Sequence, residues 1–224
     1  MKKSSSLKFG IISSASVLAY GFMPAVKLTE GVEAVAIASR DLTKAKQTAS
    51  RYGIPKAYGS YNEILRDPGV DCIYVPLPNA MHIEWARKAL KAGKHVLCEK
   101  PAGWSAREVA SLRGLIEKTG LIFAEAFQYR YHPLMTKIKE IIDKGTIGEV
   151  VNVEASYCEV ITSRDMVQFK PDMAGGSLMD VGCYCVDFCR FIIGCDEAEV
   201  LKTKSKIVRG VDGDMKAELL FSNG

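Results

Sequence analysis

From residue 7 to residue 126, apolar runs alternate with amphipathic stretches, and this alternation narrows the choice of fold more than any other feature. Residues 7–13 read as a short strand, followed by a helical stretch through Leu28. Residues 32–39 form a second strand, and 41–51 a helix with Asp41 as its cap. Gly53-Ile54-Pro55 ends that helix, and a short helical turn covers 61–66. A buried strand at 70–75, an amphipathic helix at 80–92 and a strand at 94–98 follow, then a helix at 105–119 and a strand at 121–126. Repeated strand–helix units imply an α/β doubly wound parallel sheet with right-handed crossovers.

The pattern changes near Phe127. Residues 133–144 read as a helix, 149–161 as a long strand and 177–193 as a glycine-interrupted helix. Residues 199–208 and 215–221 alternate as neighbouring antiparallel strands. The expectation is a dinucleotide-binding domain over 1–126 and an α+β domain with a mostly antiparallel sheet over 127–224. The last strand runs into Ser222-Asn223-Gly224, a turn signal, so the second sheet reads as incomplete at its C-terminal side.

Composition excludes some function classes. The net charge of +4 comes without a long basic run, which gives nucleic-acid binding no support. No apolar run approaches the roughly 20 residues of a membrane helix. Lys2 and Lys3 before the apolar stretch 9–19 imitate a signal peptide, but Ser13, Ser14 and Ser16 interrupt it, and the reading is cytoplasmic. The seven cysteines are an odd number in apolar surroundings, as expected of reduced thiols. Cys183, Cys185, Cys189 and Cys195 lack the paired spacing of a zinc site, so no metal is expected.

The carboxyl ends of parallel strands are where ligands bind in such sheets. After the first strand, Ser13, Ala15 and Leu18 stand at the three glycine positions of a G-x-G-x-x-G turn. Ser13, Ser14 and Ala15 are small, and the two hydroxyls can donate to a phosphate; Leu18 is expected to push the helix away from the sheet. The second strand ends in Ser39-Arg40 rather than an acidic residue, which suits a 2′-phosphate and favours NADP over NAD. Pro76 and Asn79 shape the loop after the strand at 70–75, with Asn79 as a helix cap and a cofactor contact and His82 one turn on. Glu99-Lys100-Pro101 follows the next strand; the proline ends the ladder and holds Lys100 at the ligand edge. Gly175-Gly176-Ser177 leads into a helix bearing Asp180 and Tyr184, four residues apart and so on one helical face. If that face lies near Lys100, the ammonium favours phenolate and Tyr184 can act as general acid/base.

Taken together, Ala38-Ser39-Arg40, Glu99-Lys100-Pro101, Glu125-Ala126-Phe127 with Tyr129-Arg130-Tyr131-His132-Pro133, and Gly175 through Tyr184 resemble the Gfo/Idh/MocA oxidoreductase family. Within it they are most similar to the branch of dimeric trans-dihydrodiol dehydrogenase and NADP-dependent D-xylose dehydrogenase. The resemblance implies a Rossmann domain followed by a sheet that serves as a homodimer interface, and hydride transfer between nicotinamide and a sugar or diol carbon. It implies Lys100 as the site lysine, Asp180 as a substrate-orienting carboxylate and Tyr184 as the acid/base. Arg130 and His132 fall on the substrate side, and Ser13, Ser14, Ala15, Ser39, Arg40, Pro76, Asn79, His82, Glu99 and Lys100 on the cofactor side. Gln128 departs from the pattern, standing where an apolar or aromatic residue is expected. The alternative reading is a non-catalytic nucleotide-binding regulator or an inactive truncated product, favoured by Leu18 and the early stop.

Overall fold

The computed structural model describes residues 6–223; Lys2, Lys3 and Gly224 lie outside the described residues. The chain forms two compact units, Met1–Ala126 and Phe127–Gly224.

The first unit is a six-stranded sheet of β1 (Leu7–Ile12), β2 (Val32–Ala38), β3 (Lys56–Tyr58), β4 (Cys72–Val75), β5 (His95–Cys98) and β6 (Phe123–Glu125), in the order β3-β2-β1-β4-β5-β6. Every pairing is parallel. The order reverses between β1 and β4, which makes the gap beyond their carboxyl ends the topological switch point.

Alternate strand residues feed two cores. Ile12, Ile73, Val75, Val96 and Cys98 pack with Ile64 and Leu65 of α3 (Tyr61–Leu65) and Ile83, Ala86 and Leu90 of α4 (His82–Lys91). Phe9, Ile11, Ile37, Cys72 and Tyr74 pack with Met23 of α1 (Met23–Leu28) and Ala49 of α2 (Leu42–Tyr52). Both faces are therefore buried, as a doubly wound sheet requires.

Two sequence expectations in this unit change. The helix at 105–119 is two pieces, α5 (Ala106–Ala110) and α6 (Arg113–Thr119). At the break, Arg87 Nη1 donates to the Ser111 carbonyl at 3.2 Å and the Ser111 hydroxyl turns back to the Glu108 carbonyl, so side chains take the groups a continuous helix needs. Strand β3 has no counterpart in the sequence reading, because three residues carry no visible alternation.

The second unit contains α7 (Pro133–Asp143), a π-turn at Leu178–Gly182 continuing into α8 (Cys183–Ile193), and an antiparallel ribbon of β7 (Ala198–Val208) and β8 (Val211–Phe221). The strand expected at 149–161 is not one: the segment has no neighbour supplying a ladder among the described residues, and alternation alone makes no strand without it.

Candidate functional site

The turn after β1 keeps a glycine backbone without the glycine. Ser13 has φ +150°, a region L side chains rarely adopt. Ser13 and Ala15 are half-buried and Ser14 is exposed, all three just past the carboxyl end of β1. Leu18 does not hold the helix off. It is 1% exposed in the core with Phe9 and Ile11, and the chain widens into a π-turn, Leu18–Phe22, where the leucine enters.

At the end of β2, Asp41 caps α2 as its sequence suggests, accepting from Thr43 N at 2.8 Å and Lys44 N at 3.3 Å. Ser39 is buried and its hydroxyl accepts from Asp41 N at 3.3 Å, whereas Arg40 is exposed. Asn79 does not cap a helix. It opens a 3-10 turn, Asn79–Met81, the cap positions are Pro78 and Met81, and neither makes a side-chain cap bond.

The loop after β5 is fastened residue by residue. The Lys100–Pro101 peptide is cis. Glu99 Oε2 accepts from Lys100 N at 3.4 Å, and Glu99 Oε1 accepts at 2.6 Å from the Tyr74 hydroxyl. Tyr74 lies in the fully buried β4, stacked on Phe22 at 4.1 Å. Burial and the Glu99 charge push its phenol far up, so it stays a donor. Next, the Pro101 carbonyl lies 2.7 Å from His82 Nδ1, and then Ala102 N donates to Glu125 Oε1 at 2.6 Å. His82 Nε2 lies 2.7 Å from the Leu77 carbonyl, so the ring joins the loops after β4 and β5.

His82 is 0% exposed with both ring nitrogens on carbonyls, which leaves it no edge for a cofactor. The ring is a tie between the loops after β4 and β5. Burial pushes its pKa down, partly offset by the two carbonyls, and the neutral ring carries one N–H to donate.

In the second unit, the two glycines before the π-turn answer to close approach. A Cβ on Gly175 would meet the Gln168 carbonyl oxygen at 2.5 Å; Gly176, at φ +112°, would meet Asp212 Oδ1. Asp212 Oδ2 then accepts from the Ser177 hydroxyl at 2.8 Å and Leu178 N at 2.7 Å, closing the start of the turn. Asp180 belongs to the π-turn and Tyr184 to α8, so their four-residue spacing is not an α-helical one.

The Tyr184 ring lies among Phe127 (5.4 Å), Tyr129 (6.0 Å) and Tyr157 (5.7 Å). Its hydroxyl meets the side-chain amide of Gln128, with Nε2 at 3.4 Å and Oε1 at 3.5 Å. Beneath this cluster Asp187 is buried and takes three bonds: Arg130 Nε at 2.8 Å, Arg130 Nη2 at 2.5 Å and the Tyr129 hydroxyl at 2.5 Å. The Asp187 carboxylate holds the Arg130 guanidinium charged, while burial and the same carboxylate push the Tyr129 phenol up.

Among known proteins, the description "Oxidoreductase family, NAD-binding Rossmann fold" matches residues 7–127, and the Gfo/Idh/MocA C-terminal domain matches residues 135–224. The chain belongs to the Gfo/Idh/MocA oxidoreductase family. It is 40% identical over 219 residues to D-xylose 1-dehydrogenase (NADP(+)) 2 of Haloferax volcanii, covering 97% of this chain and 67% of that protein. It is 36% identical over 214 residues to trans-1,2-dihydrobenzene-1,2-diol dehydrogenase of Xenopus tropicalis, covering 95% and 63%. The structure of KijD10, a 3-ketoreductase from Actinomadura kijaniata in complex with NADP and TDP-benzene, superposes with a TM-score of 0.92 at 30% identity, covering 98% of this chain and 68% of that one. The chain spans about two thirds of the length of the curated relatives it matches.

Two residues of this Gfo/Idh/MocA protein assigned to substrate are engaged in its own framework. Arg130 commits two donors of its planar fork to Asp187, and His132 caps α7, its Nδ1 accepting from Leu134 N at 3.1 Å. Neither is placed by these bonds as a substrate contact. Conversely, Tyr74, Glu125 and Asp187 carry bonds that sequence reasoning does not assign. Tyr74 and Asp187 leave a signal: each is a polar group inside an otherwise apolar element, and such groups need partners when buried. Among the described residues no three of His, Cys, Asp and Glu are grouped to hold a metal, and no helix is long and apolar enough to cross a membrane.

Proposed function

We propose that this chain is an NADP-dependent dehydrogenase that interconverts a hydroxyl and a carbonyl on a sugar or cyclic diol. The observation that carries the reading is the switch-point turn. Ser13 holds a backbone conformation that glycine normally supplies, and Leu18 is absorbed into the core, so the small-residue cradle for a pyrophosphate survives the loss of its glycines. Ser13, Ser14 and Ala15 would hold the pyrophosphate. Exposed Arg40 would take the 2′-phosphate, and the loops through Asn79 and Lys100 would line the nicotinamide end.

When bound, the nicotinamide accepts or supplies the hydride. The chain's own residues handle the proton. Tyr184 exchanges it with the substrate oxygen, as base when the hydroxyl is oxidised and as acid in reverse. Lys100, fixed through its backbone by Glu99 and through Pro101 by His82, supplies positive charge that favours the developing oxyanion. Asp180 orients the substrate. The sugar and diol substrates named for the relatives support this substrate class. We assign the protein to the cytoplasm, supported by seven free cysteines, and to a homodimer, supported by the exposed apolar Val200, Leu201 and Leu220 on the ribbon.

The test is titration by NADPH and NADH, followed by turnover on aldoses and cyclic diols. NADPH is expected to bind more tightly, and Arg40→Ala to remove most of that preference. Lys100→Met and Tyr184→Phe are each expected to lower kcat by about 10²-fold or more with cofactor binding retained. Equal binding of the two cofactors sinks the NADP reading; full turnover in Tyr184→Phe sinks the acid–base role.

A further inference from the structure

Gln128 interrupts an aromatic neighbourhood with an amide. Phe127, Tyr129 and Tyr157 surround the Tyr184 ring, and one atom group on the exposed Gln128 reaches the Tyr184 hydroxyl. Both ends of that amide are within reach: Nε2 at 3.4 Å and Oε1 at 3.5 Å. The two contacts are chemically opposite. Nε2 donates to the phenol oxygen, and Oε1 accepts from the phenol O–H.

An acid/base passes through both states in each turnover. As phenol its single proton must point at the substrate oxygen, and as phenolate its oxygen needs a donor. The Gln128 amide N–H donates to that oxygen in both states and so leaves the proton for the substrate. A carboxylate has no N–H to give, and the neutral amide adds no charge beside the hydroxyl.

We propose that Gln128 is the positioning residue for the Tyr184 hydroxyl, holding it in register for proton exchange in both directions of the reaction. The inference rests on the acid–base reading of Tyr184. The Tyr184 ring itself is held by its aromatic neighbours, so removing the amide takes away its two contacts with the hydroxyl while leaving the ring in place.

The test uses Gln128→Met, which keeps length and apolar volume but loses both amide groups, and Gln128→Glu, which keeps only the acceptor. In cofactor-free protein labelled at tyrosine Cζ, the Tyr184 resonance is assigned by its loss in Tyr184→Phe. Gln128→Met is expected to shift that resonance. In turnover, Gln128→Met is expected to lower kcat by about threefold to tenfold, the range of one neutral hydrogen bond, with both KM values within about twofold. The solvent deuterium isotope effect on kcat is expected to rise, because proton exchange becomes slower. Gln128→Glu is expected to lower kcat further, since a carboxylate opposes the phenolate. An unshifted resonance, or unchanged kcat in Gln128→Met while Tyr184→Phe is inactive, overturns this inference alone. Turnover surviving in Tyr184→Phe overturns the acid–base reading and this inference with it.

Discussion

The loop that carries Lys100 and the helix that carries Tyr184 are built in opposite ways. Lys100 sits on irregular chain, and its loop is tied by its own Glu99, which meets Tyr74 of β4, and by His82 of α4 and Glu125 of β6. Tyr184 sits on a regular helix, and the buried Asp187 one turn further on anchors that helix to Arg130 and Tyr129. In the first case neutral and charged hydrogen bonds hold a backbone; in the second an ion pair holds an element. Loops have no internal ladder, so their precision comes from outside, whereas a helix needs only one firm anchor.

Three substitutions separate the two designs. The largest effect is expected at the helix anchor. Asp187→Ala removes three bonds and leaves Arg130 unmatched, at a cost of about 2–4 kcal/mol, held below the fully buried case because the Arg130 side chain is 41% exposed. Thermal unfolding is expected about 5–15 °C lower, with NADPH affinity of the folded protein little changed. Unaltered melting would show that the ion pair is not the anchor.

A smaller loss is expected at the loop tie. His82→Leu removes the one N–H with which the neutral ring serves one of the Leu77 and Pro101 carbonyls, at about 1–3 kcal/mol, and is expected to weaken NADPH binding by several fold. This site also carries a pH signature. Because burial lowers the folded-state pKa of His82 below its ordinary value, the unfolded chain binds more protons in the window between the two. Its contribution to stability is therefore present above about pH 6.5 and is lost as pH falls through that window. Melting curves from pH 5 to 8 should lose that part of their slope in His82→Leu; an identical slope would contradict a buried neutral ring.

The smallest effect belongs to the outermost link. Tyr74→Phe keeps the ring stacked on Phe22 and deletes only the hydroxyl that meets Glu99, at about 1 kcal/mol. NADPH binding is expected to weaken by about twofold to fivefold, with melting nearly unchanged. A loss as large as that of His82→Leu would show that Glu99, rather than the histidine, governs the loop.

The sheet, the capping of α2 by Asp41 and the ribbon were legible because each follows from local pattern: apolar runs buried on both faces, a cap residue before a helix, alternation on paired strands. The edge that carries Ser13, Arg40 and Lys100 was legible too, since parallel strands place their ends together. Other features were not. A strand at 149–161 has the right alternation, but a strand exists only where a neighbour supplies the ladder. Leu18 read as an obstacle because its size is local information, while the core that receives it comes from Phe9 and Ile11 on the sheet.

The sequence by itself determined the alternating strand–helix plan of the first unit, the cap of α2 and the family, because these depend on periodicity and residue chemistry. Only the tertiary structure decided which polar side chains are spent inside the framework. The internal partners of Arg130, His132 and His82 cannot be read from their letters, because hydrogen-bond partners are a property of space. The carboxylate that claims Arg130 lies 57 residues away along the chain, and the carbonyl on His82 Nδ1 lies 19 away.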